Sequence, residues 1–67
     1  GTIQITGAEA YLEGPNGRVE PGALLPGSYD LFANVAGGQF RRVRSITIEA
    51  GQNLQFHCGM GTCRQVN

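Results

Sequence analysis

The sequence predicts an all-β fold, a small antiparallel β-sandwich of about six to seven strands closed by one C-terminal disulfide. Eleven glycines and three prolines divide the 67 residues into short runs separated by turn signals. Several runs alternate apolar and polar residues, and no segment keeps a 3.6-residue apolar period over about ten residues. Residues 1–67 are expected to form one domain, whose small core would benefit from a covalent crosslink.

Two strands and a turn open the chain. Thr2–Thr6 is rich in β-branched residues and alternates strictly, which predicts a half-buried strand. Glu9–Glu13 predicts a second strand, with Ala10 and Leu12 on one face and Tyr11 on the other. Residues 14–17 (Gly-Pro-Asn-Gly) predict a turn, because proline fixes φ and Asn-Gly tolerates positive φ.

The middle of the chain predicts a long β-hairpin. Short extended segments at residues 18–20 and 23–25 surround a Pro-Gly step and lead into Ser28–Val35, the most regular strand pattern. The residues expected on the core face of that strand are Tyr29, Leu31, Ala33 and Val35. A Gly-Gly pair at residues 37–38 suits a tight turn, after which Gln39–Glu49 returns as a second long strand.

The returning strand contains an irregularity. Val43 is out of phase with the other apolar residues of the strand, which are Phe40, Ile46 and Ile48. We therefore expect a β-bulge or register change near Arg44-Ser45.

The C-terminal segment holds the rarest side chains of the sequence. Asn53–Cys58 alternates with Leu54, Phe56 and Cys58 expected to face inward, and Cys63–Val66 predicts one more short strand. The only histidine, the only methionine and both cysteines fall within residues 57–63.

We expect Cys58 and Cys63 to form a disulfide. A Gly-rich turn between them readily brings the two Cα atoms within bridging distance. An even pair of cysteines in a small secreted domain is typically a structural crosslink. The closed loop is short, so its entropy limits the stabilisation to about 2 kcal/mol.

The alternative for this segment is a copper or zinc site formed by His57, Cys58, Met60 and Cys63. Sulfur and imidazole ligands suit Cu(I) and zinc. A structural zinc site usually draws on two paired ligand units, however, and the chain has no second unit. Neighbours on a strand also point to opposite faces, which separates His57 from Cys58 and equally opposes a Cys–His nucleophile. The spacing Cys-x₄-Cys differs from the Cys-x-x-Cys of thioredoxin-like redox sites.

Charge and composition exclude several function classes. Five acidic residues and five arginines give zero net charge, which argues against nucleic acid or an anionic membrane as the main partner. No apolar run is long enough for a transmembrane helix. The chain has no lysine, no phosphate-binding loop and no paired carboxylates in a credible cleft, so we predict neither enzymatic activity nor a cofactor. It starts at Gly-Thr-Ile, as an excised domain or a processed product would.

One interaction patch is predicted from the arginines of the returning strand. Arg41, Arg42 and Arg44 form the only charge cluster, and Phe32 is opposite in parity to the core residues of its strand. We take Arg41, Arg42, Arg44 and Phe32 as a candidate patch for an acidic protein or an anionic cell-envelope polymer. The arginines also fit a simpler role, since charged side chains oppose edge-to-edge aggregation. A sugar platform is a further hypothesis for the aromatic residues, although most alternate with core positions: Tyr11, Tyr29, Phe32, Phe40 and Phe56.

Three segments of the chain resemble the PEGA domain family. Residues 7–14 (GAEAYLEG) are similar to the family's opening GA-x-V-Y-L-D-G. Residues 21–31 (PGALLPGSYDL) look like its P-x-x-x-x-L-P-P-G-x-Y-x-V centre, and residues 46–54 (ITIEAGQNL) like its closing V-x-V-x-A-G-Q-x-V. The resemblance spans about residues 3–58. It implies a small β-sandwich outside the bacterial cytoplasm, in surface proteins or at the C-terminal ends of Ser/Thr kinases, with no catalytic residues.

Together these observations predict a non-catalytic, extracytoplasmic structural or binding module of a bacterial surface or secreted protein. It would act through protein–protein or cell-envelope contacts. The first alternative is a subunit of a self-assembling extracellular filament or coat, because unpaired strand edges and zero net charge favour homo-oligomers. The second alternative is the copper or zinc module described above.

Overall fold

The computed structural model describes the backbone of residues 1–67 and the side chains of residues 1–34 and 37–67. Eight strands form two four-stranded sheets, and the described backbone contains no helix. The strands are β1 (Thr2–Thr6), β2 (Ala10–Gly14), β3 (Gly17–Val19), β4 (Gly22–Ala23), β5 (Gly27–Ala36), β6 (Gln39–Ile48), β7 (Asn53–Gly59) and β8 (Thr62–Gln65). Sheet I has the strand order β4-β1-β7-β8, and sheet II has the order β3-β2-β5-β6. The predicted all-β fold is confirmed.

Two features of the topology differ from the expected arrangement. The eight strands exceed the expected six to seven because both short extended segments pair, β3 with β2 and the two-residue β4 with β1. β1 and β7 run parallel, with Thr2 opposite Asn53 and Thr6 opposite His57. A parallel pair needs a long connection, and here all of sheet II lies between the two strands in sequence. Alternation of apolar residues carries no information about strand direction, so this pair could not be read from the pattern.

The core is formed by the inner faces of both sheets. Its buried side chains are Ile3, Leu12, Tyr29, Leu31, Ala33, Ile46, Ile48, Leu54, Phe56, Cys58 and Cys63. The core faces predicted for β5 and β7 are confirmed within the described side chains, and the expected inward placement of Val35 lies outside them. The buried Tyr29 hydroxyl donates a hydrogen bond to the Leu25 carbonyl at 2.5 Å, so this polar group is satisfied.

The predicted bulge in β6 is present at Val43. Leu31 pairs with Arg44 but the next residue, Phe32, pairs with Arg42, so Val43 is the extra residue. The bulge therefore lies one residue before the expected position. It reverses the alternation between the two parts of β6, which places Phe40 on the outer face although Ile46 is buried.

The predicted Gly-Gly turn joins β5 to β6. Gly37 and Gly38 have φ values of 60° and 92°, the left-handed region that two-residue hairpin turns of this kind require. The turn lets β5 and β6 pair, and this pairing sets Arg42 directly opposite Phe32 and Phe40 opposite Asn34.

Candidate functional site

The outer face of sheet II carries three aromatic rings. Tyr11 on β2 is directly opposite Phe32 on β5. Their rings are stacked, with an angle of 3° between the ring planes and 5.0 Å between the centroids. The ring of Phe40 on β6 lies 5.1 Å from that of Tyr11 at an angle of 53°. Phe40 is 36% exposed, and Tyr11 and Phe32 are half-buried. The three rings thus form a contiguous apolar cluster on a solvent-facing surface.

Arg18 on β3 extends this cluster at one side. Its guanidinium carbon lies 4.1 Å from the centroid of the Tyr11 ring, and its Nε lies 3.3 Å from the Glu20 carboxylate. Arg18 and Phe32 thus contact the Tyr11 ring from the two strands that flank β2, β3 and β5. These contacts leave Tyr11 half-buried, whereas a sugar platform needs an uncovered ring face.

Arg42 on β6 extends the cluster at the other side, directly opposite Phe32. Its Nε lies 3.3 Å from Asp30 Oδ1, and one terminal nitrogen donates a hydrogen bond to Ser45 Oγ at 2.6 Å. Ser45 Oγ in turn donates to Asp30 Oδ1 at 2.8 Å, which closes a three-residue network. We call Tyr11, Phe32, Phe40, Arg18 and Arg42 the aromatic–arginine face.

The ion pairs of this face position the arginines more than they stabilise the fold. The side chains of Arg18 and Arg42 are 60% and 56% exposed, and their carboxylate partners, Glu20 and Asp30, are 70% and 42% exposed. Pairs at this exposure contribute about 0–1 kcal/mol each. Their structural effect is to hold two guanidinium groups beside the rings.

The structure places the predicted patch in two separate locations. Phe32 and Arg42 are direct cross-strand neighbours on the outer face. Arg44 pairs with buried Leu31, and its guanidinium carbon lies 5.2 Å from the centroid of the Phe56 ring in sheet I. Arg41 is the cross-strand partner of Ala33, whose side chain is buried. Alternation and the bulge together turn Arg41 and Arg44 away from the face that carries Arg42.

Tyr11, Arg18 and Phe40 were not part of the predicted interaction patch, and the two aromatic residues entered only the sugar-platform hypothesis. The sequence nevertheless held a signal for each of them. Tyr11 was expected on the opposite face of its strand from Leu12. Since Leu12 is buried, that opposite face is the outer face of sheet II. The turn at residues 14–17 sets a hairpin register in which Arg18 stands next to β2, opposite Glu13. The expected bulge was the signal for Phe40, because one extra residue between Phe40 and Ile46 places the two side chains on opposite faces.

The C-terminal cluster is a closed crosslink. Cys58 and Cys63 are cross-strand partners and form the predicted disulfide, with both side chains almost fully buried. His57 faces the opposite side of β7, where its Nδ1 lies 3.0 Å from Thr6 Oγ1. Met60 is fully exposed in the turn between β7 and β8, with a positive φ of 53°. The two cysteines are thus bonded to each other in the core, whereas His57 and Met60 line a surface pocket.

The disulfide also removes both thiolates as ligands. Among the side chains that the structure describes, no three from His, Cys, Asp and Glu are grouped to hold a metal ion. A disulfide is compatible with an oxidising compartment outside the cytoplasm. No helix long and apolar enough to cross a bilayer occurs in the described part of the chain.

Comparison with protein-family models, with curated protein sequences and with solved structures gives no match to this chain.

Proposed function

We propose that this chain is a non-catalytic structural and binding module of a bacterial surface or secreted protein, and that it binds a protein partner through the aromatic–arginine face. The observation that supports the proposal is the presence of three aromatic rings and two arginines on the solvent side of a sheet. The outer face of an antiparallel sheet is normally polar. Aromatic residues and arginine are the types enriched in protein interfaces and in their energetic hot spots.

The charge pattern favours a protein over a polyanion. Arg18 is paired with Glu20 and Arg42 with Asp30, and Glu13 lies between Arg18 and Asp30 in the strand register. Two cations among three carboxylates give no concentrated positive potential for phosphate groups. A patch that mixes aromatic rings with charges of both signs suits a protein surface of similar composition.

The proposed location is outside the cytoplasm. The Cys58–Cys63 disulfide is compatible with this location, and the resemblance to PEGA domains supports it. The measurement is acid quenching of cells that express the protein, followed by alkylation and mass analysis. We expect both cysteines to resist alkylation until a reductant is added. Prompt alkylation of both cysteines would instead indicate a reducing compartment.

Photo-crosslinking tests the binding face directly. p-Benzoylphenylalanine in place of Phe40 is expected to form an adduct with another protein in cells that express the chain. The control is the same amino acid in place of Gln55, which is exposed on the outer face of sheet I. Adducts at neither position, or the same adducts at both, would contradict the proposal.

Affinity measurements with the purified partner then assign the contribution of single residues. Phe32→Ser is expected to weaken binding by about tenfold or more, since a central aromatic residue at an interface contributes on the order of 1–2 kcal/mol. Gln55→Ser, the matched polar change on sheet I, is expected to leave the affinity unchanged. Equal affinities for the two variants would exclude the aromatic–arginine face as the binding surface.

A self-assembling filament or coat subunit is the second candidate. The free edge of the ten-residue strand β6 favours it, because an unpaired strand edge is a template for pairing with another chain. The crosslinking experiment separates the two functions by the mass of the adduct. A species of two 7.1 kDa chains indicates self-association, and any other mass indicates a different partner.

A further inference from the structure

The edge of β6 is the longest unpaired strand edge in the structure. β6 (Gln39–Ile48) pairs only with β5, and it makes no further backbone–backbone hydrogen bond to a described residue. The other three edge strands, β3, β4 and β8, contain three, two and four residues. Short edge strands limit unwanted pairing. β6 therefore differs from the other edges in offering a long row of backbone donors and acceptors.

The charge on this edge is of one sign. Arg41, Arg42 and Arg44 lie within Gln39–Ile48, which contains no acidic residue. Arg42 is paired with Asp30, whereas Arg41 and Arg44 form no salt bridge with any described side chain. Neither of these two guanidinium groups is thus paired with a described carboxylate, and the guanidinium carbon of Arg44 lies 5.2 Å from the centroid of the Phe56 ring.

This charge disfavours a second copy of the chain as the occupant of the edge. Pairing of two β6 edges would bring the three arginines of each copy together, and like charges opposite one another in a sheet are destabilising. The bulge at Val43 adds a local bend and extra twist, which a flexible segment can follow more easily than the edge of a folded sheet.

We propose that the edge of β6 binds an extended acidic segment of the protein partner by strand addition. Backbone hydrogen bonds to the free edge would supply the pairing, and carboxylates facing Arg41 and Arg44 would supply selectivity. The inference rests on the proposed function. A strand beside β6 places its outward side chains next to Phe40 and Arg42 of the aromatic–arginine face.

The test uses a fluorescent peptide of about eight residues that alternates Glu and Val, a length suited to a strand of this size. A peptide that alternates Gln and Val controls for charge. A version of the acidic peptide with every amide N-methylated keeps the charges and loses every backbone donor. We expect the acidic peptide to bind and both control peptides to bind at least about tenfold more weakly. Slowed amide exchange should appear in β6 and not in β7.

The matched protein variants replace arginine by glutamine on two different edge strands, β6 of sheet II and β8 of sheet I. Arg41→Gln combined with Arg44→Gln is expected to weaken peptide binding by about tenfold, whereas Arg64→Gln on β8 leaves it unchanged. All three arginines are exposed, so far-UV circular dichroism should show that each variant is folded. The double variant lies outside the aromatic–arginine face, which keeps the two sites experimentally separable.

Three outcomes would overturn the inference. They are no binding of the acidic peptide, equal binding of its N-methylated version, and protection of β6 by self-association in the absence of peptide. If a partner adduct at Phe40 still depends on Phe32 in those cases, the proposed function stands and strand addition alone fails. If Phe40 gives no adduct while the peptide protects β6, the edge binds strands and the aromatic–arginine face is not the site.

Discussion

The outer faces of the two sheets differ in their side chains: that of sheet I is polar along its parallel strands, whereas that of sheet II carries an aromatic cluster. Sheet I exposes neutral polar side chains and one histidine along its parallel strands, namely Thr2, Gln4, Thr6, Asn53, Gln55 and His57. Several of these interact across the strands, as when Thr2 Oγ1 donates a hydrogen bond to Asn53 Oδ1 at 2.6 Å. Sheet II instead exposes part of a three-ring cluster with an arginine at each side.

The difference separates what folding requires from what it does not. Both inner faces contribute aliphatic and aromatic side chains to one core, so burial of that core does not depend on the outer rings. A polar outer face like that of sheet I is therefore sufficient for folding. The partly exposed rings of sheet II instead place apolar surface in water, which burial of the core does not require.

Truncation of a core leucine in either sheet is expected to have a similar and large effect. Leu31 in sheet II is fully buried, and Leu54 in sheet I is 5% exposed. Leu31→Ala and Leu54→Ala should each lower the free energy of unfolding by about 3 kcal/mol, because each removes buried methyl groups and leaves a cavity. Chemical denaturation measures both. A much smaller loss for Leu54→Ala would mean that the inner faces are not equivalent.

Removal of the disulfide is expected to affect sheet I selectively. Replacement of Cys58 and Cys63 by alanine should lower the free energy of unfolding by about 2 kcal/mol, since the crosslink closes only a short loop. The stack of Tyr11 on Phe32 lies in sheet II and should keep its ring-to-ring contacts in NMR spectra of the folded variant. Loss of those contacts would show that the crosslink also maintains the outer face of sheet II.

Most of the fold was predictable because it depends on local patterns. Alternation identified the strands β1, β2, β5 and β7 and the inner faces of β5 and β7, and the turn at residues 37–38 followed from a Gly-Gly pair. The crosslink followed from a Gly-rich spacer between two cysteines. Each of these features is determined by residues a few positions apart, so the sequence contains the information directly.

The candidate site was less predictable because it depends on register between strands. Phe40 and Ile46 have the same parity, yet the bulge at Val43 places them on opposite faces of sheet II. Arg41 and Arg44 are close to Arg42 in sequence, but alternation and the same bulge separate them from it. The parallel pairing of β1 with β7 likewise depends on contacts between distant segments. Neither the alternation nor the composition determines these pairings.

Truncation of an outer ring should have a moderate effect that has no equivalent on sheet I. Phe32→Ser removes a stacked ring and is expected to lower the free energy of unfolding by about 1 kcal/mol. Gln55→Ser on sheet I should change it by less than about 0.5 kcal/mol, as is usual for exposed polar positions. Thermal and chemical unfolding of both variants provide the measurement. A neutral Phe32→Ser would mean that the ring stack does not stabilise the isolated fold.

The smallest expected effect concerns the arginine that covers Tyr11. Arg18→Gln should lower the free energy of unfolding by about 0.5 kcal/mol, the value typical of a cation–π contact at an exposed site. Arg64→Gln on the outer face of sheet I, where no aromatic contact to Arg64 is described, should cost less.

The Arg18 effect has two structural sources, which a double-mutant cycle can separate. Arg18 also pairs with Glu20, so Arg18→Gln is repeated in a Glu20→Gln background. If the contact with Tyr11 supplies the effect, most of the loss persists without the Glu20 carboxylate and disappears in a Tyr11→Ser background. If the Arg18→Gln loss instead disappears in the Glu20→Gln background, the ion pair with Glu20 is the source of the effect. The two outer faces would then differ in their apolar surface and not in a ring–arginine contact.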